Sequence, residues 1–360
     1  MKRLKRSTAW LLSLLMLFAL AGSAAAADQR IQYTEEMVGN GHPTKTDTLN
    51  RHANVEHNTD GTHKMTSGAA GDMFYHDGTK LTRLGKGTAG QILTQGGSNA
   101  PAWGNAVLPR SYLAGLGLSN AADTEHDITI AVGTCRDSSN AYDLTLASAM
   151  TKQIDAAWAA GTNAGGLFSG AVGATTWYHV FVIRKDSDGS IDAGFDTSVT
   201  AANKPAGYTA YRRIGSVLTD GSSNILNFYQ YGDIFLWKAS IRDIAVTNPG
   251  TSAVTRTLSV PTGVIVEAII NVATGADAAD SLVRISCLSI NDEAPSTSVT
   301  PLADFGAYYN AGGANISTYG QIRVLTNTSA QVRSRNLTSG ANTSLYIVTL
   351  GWIDRKGRDD

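Results

Sequence analysis

The chain has 360 residues and a formal net charge of −1, which allows roughly two or three domains and provides no field to attract nucleic acid or an anionic membrane. Charged residues make up 16% of the chain, below the usual share of about 25%, and Gly, Ala, Ser, Thr and Asn take their place. These residue types are common in short strands and tight turns. The composition therefore predicts an all-β protein with no nucleic-acid partner.

The N-terminus has the three parts of a secretory signal peptide. Basic residues at positions 2–6 precede an apolar run at residues 9–21, and small residues follow up to Ala27. The apolar run is short for a membrane span. We therefore expect residues 1–27 to be removed and the mature chain to be exported to the cell envelope or beyond it. An uncleaved anchor is the alternative.

Residues 28–64 are polar and rich in His and Asn. They contain too few apolar residues to form a core, so we expect this attachment segment to wind against copies of itself or to bind another protein. Residues 65–107 are rich in glycine and predict a thin stalk of short β-segments, with a hairpin turn at Asp77 and Gly78. The single tryptophan of the stalk, Trp103, should pack where its segments meet.

From residue 108 onward, short alternating apolar runs separated by turns predict two antiparallel β-sandwich or jelly-roll domains, at residues 108–245 and 246–360. The run at residues 177–183 is continuously apolar, as expected of a strand buried on both faces. One short helix is predicted over the first sandwich, because Met150, Ile154 and Trp158 recur at helical spacing and Gly161 could end the helix.

The two cysteines are far apart in sequence and form no disulfide framework. We expect Cys135 and Cys287 to be unpaired strand thiols. A single bridge between them in an oxidising compartment is the alternative.

Metal, cofactor and catalytic sites are weakly indicated. Histidines crowd the N-terminal quarter, and three chains could place them around an axial ion, but no pair has a tight ligand spacing: His42, His52, His57, His63 and His76. Asp186, Asp188 and Asp192 resemble a calcium loop only in part, so a polar hairpin tip is favoured. Asp292 and Glu293 could in principle serve a glycosidase, although adjacent acids in a turn are the simpler interpretation. No metal, cofactor or catalytic residue is therefore predicted.

The candidate receptor contacts are residues of two aromatic-rich segments, which we interpret as loops between strands. Tyrosine on a β-scaffold offers a flat amphipathic surface to a sugar ring or a protein. The candidates are Tyr229, Tyr231, Phe305, Tyr308, Tyr309 and Asn310. The alternative is that these residues pack the ends of the sandwiches or the seam between copies.

Residues 71–103, GDMFYHDGTKLTRLGKGTAGQILTQGGSNAPAW, resemble the recurrent module of bacteriophage and prophage tail fibres, in which GD, an aromatic residue, GTKL, KGTAGQxL and APxW follow one another. Residues 39–64 are similar to N-terminal segments of phage tail proteins, and much of residues 115–237 resembles a β-rich domain of phage fibre-like proteins. The resemblance implies an elongated homotrimer in which Tyr75, Leu81, Leu93 and Trp103 pack the stalk. It supplies no catalytic residue.

Together these features predict a non-enzymatic, fibre-like adhesive protein that binds a host-surface protein or envelope glycan and is attached through residues 28–64. Phage fibres assemble in the cytoplasm, so the signal peptide departs from that family. A prophage-derived gene with an exported product accounts for both features, and a phage-encoded product would be part of the virion. The alternatives are a surface-polysaccharide depolymerase on the same scaffold and a virion decoration without a receptor.

Overall fold

The structure is a computed structural model that describes residues 68–97, 99–276, 280–296, 302–308 and 316–358. Every regular element in these residues is a β-strand, which confirms the predicted all-β class. The chain divides into two compact units, one ending at Ala106 and one beginning at Val107. The predicted signal peptide and attachment segment lie outside the described residues, with four of the five N-terminal histidines. Within the described ranges there is no helix that is long and apolar enough to cross a membrane.

The described part of the first unit consists of two hairpins. Its strands are β1 Met73–His76, β2 Leu81–Leu84, β3 Gln91–Gln95 and β4 Pro101–Asn105. The predicted turn between β1 and β2 is confirmed: Gly78 adopts a φ of +100°, which only glycine reaches without strain. The Asp77 carboxylate accepts hydrogen bonds from the amides of Thr79 and Lys80, both at 2.9 Å, and so closes the turn.

The second unit contains the remaining strands in four sheets. A seven-stranded sheet has the order β14-β12-β13-β11-β10-β7-β6, and a three-stranded sheet has the order β5-β8-β9. Their strands are β5 Leu113–Gly115, β6 Leu118–Asn120, β7 Asp127–Ile130, β8 Gly133–Arg136, β9 Asp143–Leu146, β10 Met150–Ala157, β11 Ala164–Leu167, β12 Trp177–Arg184, β13 Ile191–Asp196 and β14 Ala210–Leu218.

The C-terminal part of this unit forms a five-stranded sheet, β15-β16-β23-β18-β21, and a four-stranded sheet, β17-β22-β19-β20. Their strands are β15 Phe228–Tyr231, β16 Ile234–Thr247, β17 Val254–Thr257, β18 Glu267–Ala276, β19 Ser281–Ser286, β20 Phe305–Ala307, β21 Ile316–Leu325, β22 Gln331–Asn336 and β23 Thr343–Ile353. Inward-facing residues of the two sheets, such as Ile270, Ile285 and Val332, share one hydrophobic core, as in a β-sandwich.

The helix predicted around residue 150 is wrong, because Met150–Ala157 is strand β10. It pairs antiparallel with β7 and parallel with β11. A spacing of four residues fits both a helix face and one face of a strand, so Met150 and Ile154 point inward in either case. Between them, Lys152 also points inward, which a two-residue period requires. The parallel pairs β10–β11 and β11–β13 make this sheet mixed rather than purely antiparallel.

Strand β12 is buried along its middle on both faces, as its continuous apolar run predicts. The boundary predicted between residues 245 and 246 falls inside β16, which pairs with both β15 and β23. One hydrophobic core contains residues from both sides of that boundary. At its centre Trp352 stacks on Phe235 with ring centroids 5.0 Å apart and meets Trp177 edge-on at 5.4 Å. The two predicted sandwiches therefore share a core.

The edges of the two largest sheets are joined by side-chain amides. The amide of Leu118 in β6 donates to Gln230 Oε1 at 2.6 Å, and the amide of Phe228 in β15 donates to Asn120 Oδ1 at 3.2 Å. These bonds satisfy edge-strand groups that would otherwise be free to pair elsewhere. They also fix β15, which carries two of the candidate tyrosines.

Candidate functional site

The outer face of the five-stranded sheet carries four exposed tyrosines: Tyr229, Tyr231, Tyr319 and Tyr346. On each strand their neighbours in sequence point the other way, into the core, because successive side chains alternate between the two faces. Phe228 and Phe235 are buried on the inner side, for example, whereas Tyr229 and Tyr231 are exposed. The two-residue period of the strands therefore places these tyrosines on the outer face, which is open to solvent in a single chain.

Two of these tyrosines enclose a shallow groove. Ala273 in β18 pairs with Tyr319 in β21 on one side and with Tyr346 in β23 on the other. The two tyrosine Cα atoms are thus two strand spacings apart, about 10 Å, with the small Ala273 side chain between them. Asn271 and Val348 form the next row of the floor. This tyrosine groove has a volume of about 470 Å³.

The rim of the tyrosine groove is charged. Arg242 lies opposite Val348, and Gln321 lies opposite Asn271. Arg323 and Glu267 follow further along the same face. Among the residues that the structure describes, Arg242, Arg323 and Glu267 form no ion pair within the chain. The face therefore has both signs of charge available for a partner.

The predicted contacts Tyr229 and Tyr231 lie at the opposite edge of the same sheet. They occupy strand β15 rather than a loop, so that part of the expectation is corrected. Their side chains are 58% and 73% exposed. Tyr229 in β15 pairs with Leu236 in β16. The partly exposed side chain of Leu236 therefore extends the aromatic surface from the edge towards the middle of the sheet.

The second predicted cluster is split by the structure. Phe305 in β20 is half-buried, and its ring covers Gly320, where a Cβ would come within 1.9 Å of the ring atom Cε1. Glycine at position 320 thus makes room for a packing aromatic. Tyr308 follows the strand and is 56% exposed. Tyr309 and Asn310 lie outside the described residues. Tyr308 therefore lies next to the four-stranded sheet, whereas Tyr229 and Tyr231 lie on the five-stranded sheet.

The stalk residues are unevenly covered by their own chain. Leu81 and Leu93 are 64% and 46% exposed, whereas Tyr75 and Trp103 are half-buried. The indole Nε1 of Trp103 donates to the carbonyl of Gly85 at 2.6 Å and so ties the second hairpin to the loop after the first. Further apolar side chains of these hairpins are also exposed: Met73, Phe74 and Ile92.

The acids considered for catalysis are engaged in ion pairs. Asp292 Oδ2 lies 2.7 Å from Arg335 Nη1, and Glu293 Oε2 lies 3.0 Å from Arg284 Nη2. Arg284 and Arg335 are directly opposite each other on β19 and β22. The two acids thus separate like charges on neighbouring strands and hold their loop over the outer face of the four-stranded sheet.

The three aspartates of the partial calcium loop point to different partners. Asp186 accepts from the Thr209 hydroxyl at 2.7 Å, and Asp188 accepts from the Ser190 hydroxyl at 2.7 Å. The hydrogen bonds from Ser190 lower the pKa of Asp188 to about 2. Asp192 is buried and pairs with Lys152. No group of three or more metal-binding side chains occurs in the part of the chain that the structure describes.

Both cysteines are free thiols. Cys135 is buried in β8, where burial raises the pKa of its thiol to about 12 and makes it inert as a nucleophile. Cys287 is half-buried just after β19.

Sequence reasoning missed the tyrosine groove. The signal that could have found it is the alternation in STYGQIRVL and SLYIVTL, where each tyrosine is flanked by residues of the opposite face. Alternation alone does not say which strands become neighbours, so the two tyrosines could not be brought together. No protein-family model matches the chain, and no curated protein matches its sequence. The fold and its exposed surfaces define an all-β protein with an aromatic sheet face.

Proposed function

We propose that the protein is a non-enzymatic, fibre-like structural and adhesive protein that assembles as a homotrimer outside the cytoplasm. The observation that carries this proposal is the exposure of apolar side chains in the two hairpins of the stalk. Leu81 and Leu93 lie on separate two-stranded sheets, and each remains about half exposed or more. Two-stranded hairpins are marginally stable alone, so sister copies would supply the missing cover.

The adhesive part of the proposal draws on the exposed tyrosines of the second unit. Tyr229 and Tyr231 on β15, and Tyr308 after β20, present aromatic rings to solvent on a rigid scaffold. Such rings suit the apolar face of a sugar or a protein surface. Three copies would hold these patches at a high effective concentration, so that contacts that are weak singly become stable together. The partner is a host-surface protein or envelope glycan, and residues 28–64 provide the attachment.

A binding experiment tests the adhesive role. The mature chain is applied to a glycan array and to intact bacterial cells of candidate hosts, beside the double variant Tyr229→Ser, Tyr231→Ser. A matched control is Tyr142→Ser, which removes an exposed tyrosine from β9's flank. We expect the double variant to lose binding and the control to keep it. Equal binding by all three proteins would contradict this assignment, and so would shortening of the bound polysaccharide, which would indicate a depolymerase.

A further inference from the structure

We infer that the tyrosine groove is a contact surface between copies of this chain, so that the C-terminal sheets take part in the assembly together with the stalk. This inference rests on the proposed homotrimer and assigns it a second interface. The groove is defined by Tyr319, Tyr346, Ala273, Asn271 and Val348.

The outer face of the five-stranded sheet leaves large apolar side chains open to solvent. Tyr319 is 75% exposed and Tyr346 is 41% exposed, and Leu325 at the end of β21 is also exposed. The outer face formed by β16, β23, β18 and β21 covers about 20 Å by 30 Å, or about 600 Å². Specific interfaces bury about 800 Å² on each partner and are enriched in tyrosine at their centre. The face thus supplies about three quarters of the area of a standard interface and carries the tyrosines that are enriched at interface centres.

Strand β21 lies at the edge of this sheet. Ile316–Leu325 has ten residues, and among the strands that the structure describes it pairs with β18 alone. Its sequence contains no proline, and a charged side chain occurs only at Arg323. A long edge strand of this kind invites pairing with other chains unless it is covered. A neighbouring copy seated on the tyrosine groove would cover the edge as well.

The same face also carries charged side chains of both signs. Arg242 and Arg323 are cationic and Glu267 is anionic, and none of them forms an ion pair with another described residue. Two copies that meet through overlapping parts of this face can pair the opposite signs across the contact. Ala273, Val348 and the two tyrosine rings make the groove mainly apolar, which suits a protein surface better than a sugar, although Asn271, Gln321 and Arg242 also line it.

Hydroxyl-radical footprinting of the full mature chain tests the inference without any substitution. In a single chain Tyr319 is 75% exposed and Tyr308 is 56% exposed, so an uncovered face predicts that Tyr319 is oxidised at least as fast as Tyr308. A face buried between copies predicts the reverse order, with Tyr346 protected too. Oxidation is read by mass spectrometry of the peptides, and the mass of the same sample is read by light scattering.

A pair of variants provides the second measurement. Tyr319→Glu with Tyr346→Glu places two charges in the proposed contact, and Tyr308→Glu places one charge at an exposed position just after β20, outside the proposed contact. We expect the first variant to raise the concentration at which the assembly dissociates by at least about ten-fold and the second to leave it unchanged. Near-ultraviolet circular dichroism checks that both variants fold.

The outcomes separate the inference from the proposed function. An assembled chain in which Tyr319 reacts faster than Tyr308 overturns the inference alone. A monomeric chain overturns both the inference and the proposed homotrimer. Protection of Tyr319 that appears only after a glycan is added assigns the groove to a sugar and also overturns the inference.

Discussion

Lys152 and Asp192 form an ion pair in the interior of the seven-stranded sheet, with Nζ 3.0 Å from Oδ1. The ammonium also donates to the carbonyls of Ala159 at 2.6 Å and Gly161 at 3.0 Å, so all three of its N–H groups have acceptors. The second carboxylate oxygen accepts from the Gly161 amide at 2.7 Å. The pair thereby holds the loop between β10 and β11 against the sheet.

Replacing Asp192 by Asn should destabilise the protein strongly. The substitution leaves the fully buried Lys152 without its counter-charge, and removing one partner of a buried pair costs about 3–5 kcal/mol. Asp188→Asn, at the exposed tip of the same hairpin, should change stability far less. Urea denaturation of the second unit measures both. Similar midpoints for the two variants would show that the buried pair is not needed for stability.

Stability should fall as the pH is lowered below neutrality because of His179. Burial, with a contribution from nearby Arg213, lowers the pKa of His179 from 6.5 to about 4. Between these values the unfolded chain binds a proton that the folded chain does not, so the free energy of unfolding decreases as the pH falls from about 6.5 to about 4, by up to about 3 kcal/mol.

The variant His179→Asn tests this dependence. Its side-chain amide has both a donor and an acceptor, so it can replace the hydrogen bond between His179 Nδ1 and the Ser216 hydroxyl at 2.9 Å, but it does not titrate. The decrease in this pH window should be smaller in the variant. His126→Asn is the control. A hydrogen bond with Asp123 raises the pKa of His126, so removing this histidine should not reduce the fall in the free energy of unfolding between pH 6.5 and 4. An unchanged profile in His179→Asn would contradict the assignment.

The second unit should fold as one piece. A fragment of residues 107–360 should show a cooperative thermal transition, whereas residues 246–360 alone should not fold. The shorter fragment lacks most of β16, the neighbour of β23, and the tryptophans that surround Trp352. It also lacks Arg213, whose guanidinium makes bonds of 2.6 and 2.7 Å to the buried Asp354. Circular dichroism during heating compares them, and a sharp transition in the shorter fragment would mean that its core is independent.

Polar substitutions in the stalk should weaken assembly. In the double variant Leu81→Asn, Leu93→Asn, the side chains proposed to meet sister copies lose their apolar surface, so we expect the dissociating concentration to rise by about ten-fold or more. The control Val132→Asn changes a side chain of similar exposure in the second unit. Analytical ultracentrifugation over a dilution series measures both. An equal effect of the control would remove the specific role of the stalk.

Local sequence patterns predicted the structural features that depend on residues close together in the sequence. The turn at Asp77 and Gly78 and the buried strand Trp177–Arg184 follow from short-range signals, namely turn chemistry and apolar continuity. The helix predicted between Met150 and Gly161 was wrong because a spacing of four residues fits both a helix and a strand. Lys152, which marks the two-residue period, meets its partner Asp192 only in the folded sheet.

The tyrosine groove could not be predicted for a related reason. Tyr319 and Tyr346 become neighbours only through β18, which inserts between their strands. Sequence reasoning identifies which side of a strand a residue occupies, but the order of strands in a sheet depends on long-range packing. Tyr229 and Tyr231 were singled out as aromatic residues, yet their membership of the same face as Tyr319 is visible only in the sheet register.

The mass of the purified, mature chain in solution tests the central claim most directly. Light scattering during gel filtration, combined with chemical cross-linking, counts the copies in the particle. The account predicts three times the mass of one mature chain and a cross-linked ladder that stops at the trimer. A particle with the mass of a single chain across the concentration series would contradict it, because Leu81, Leu93 and Tyr319 would then be exposed to water without a partner.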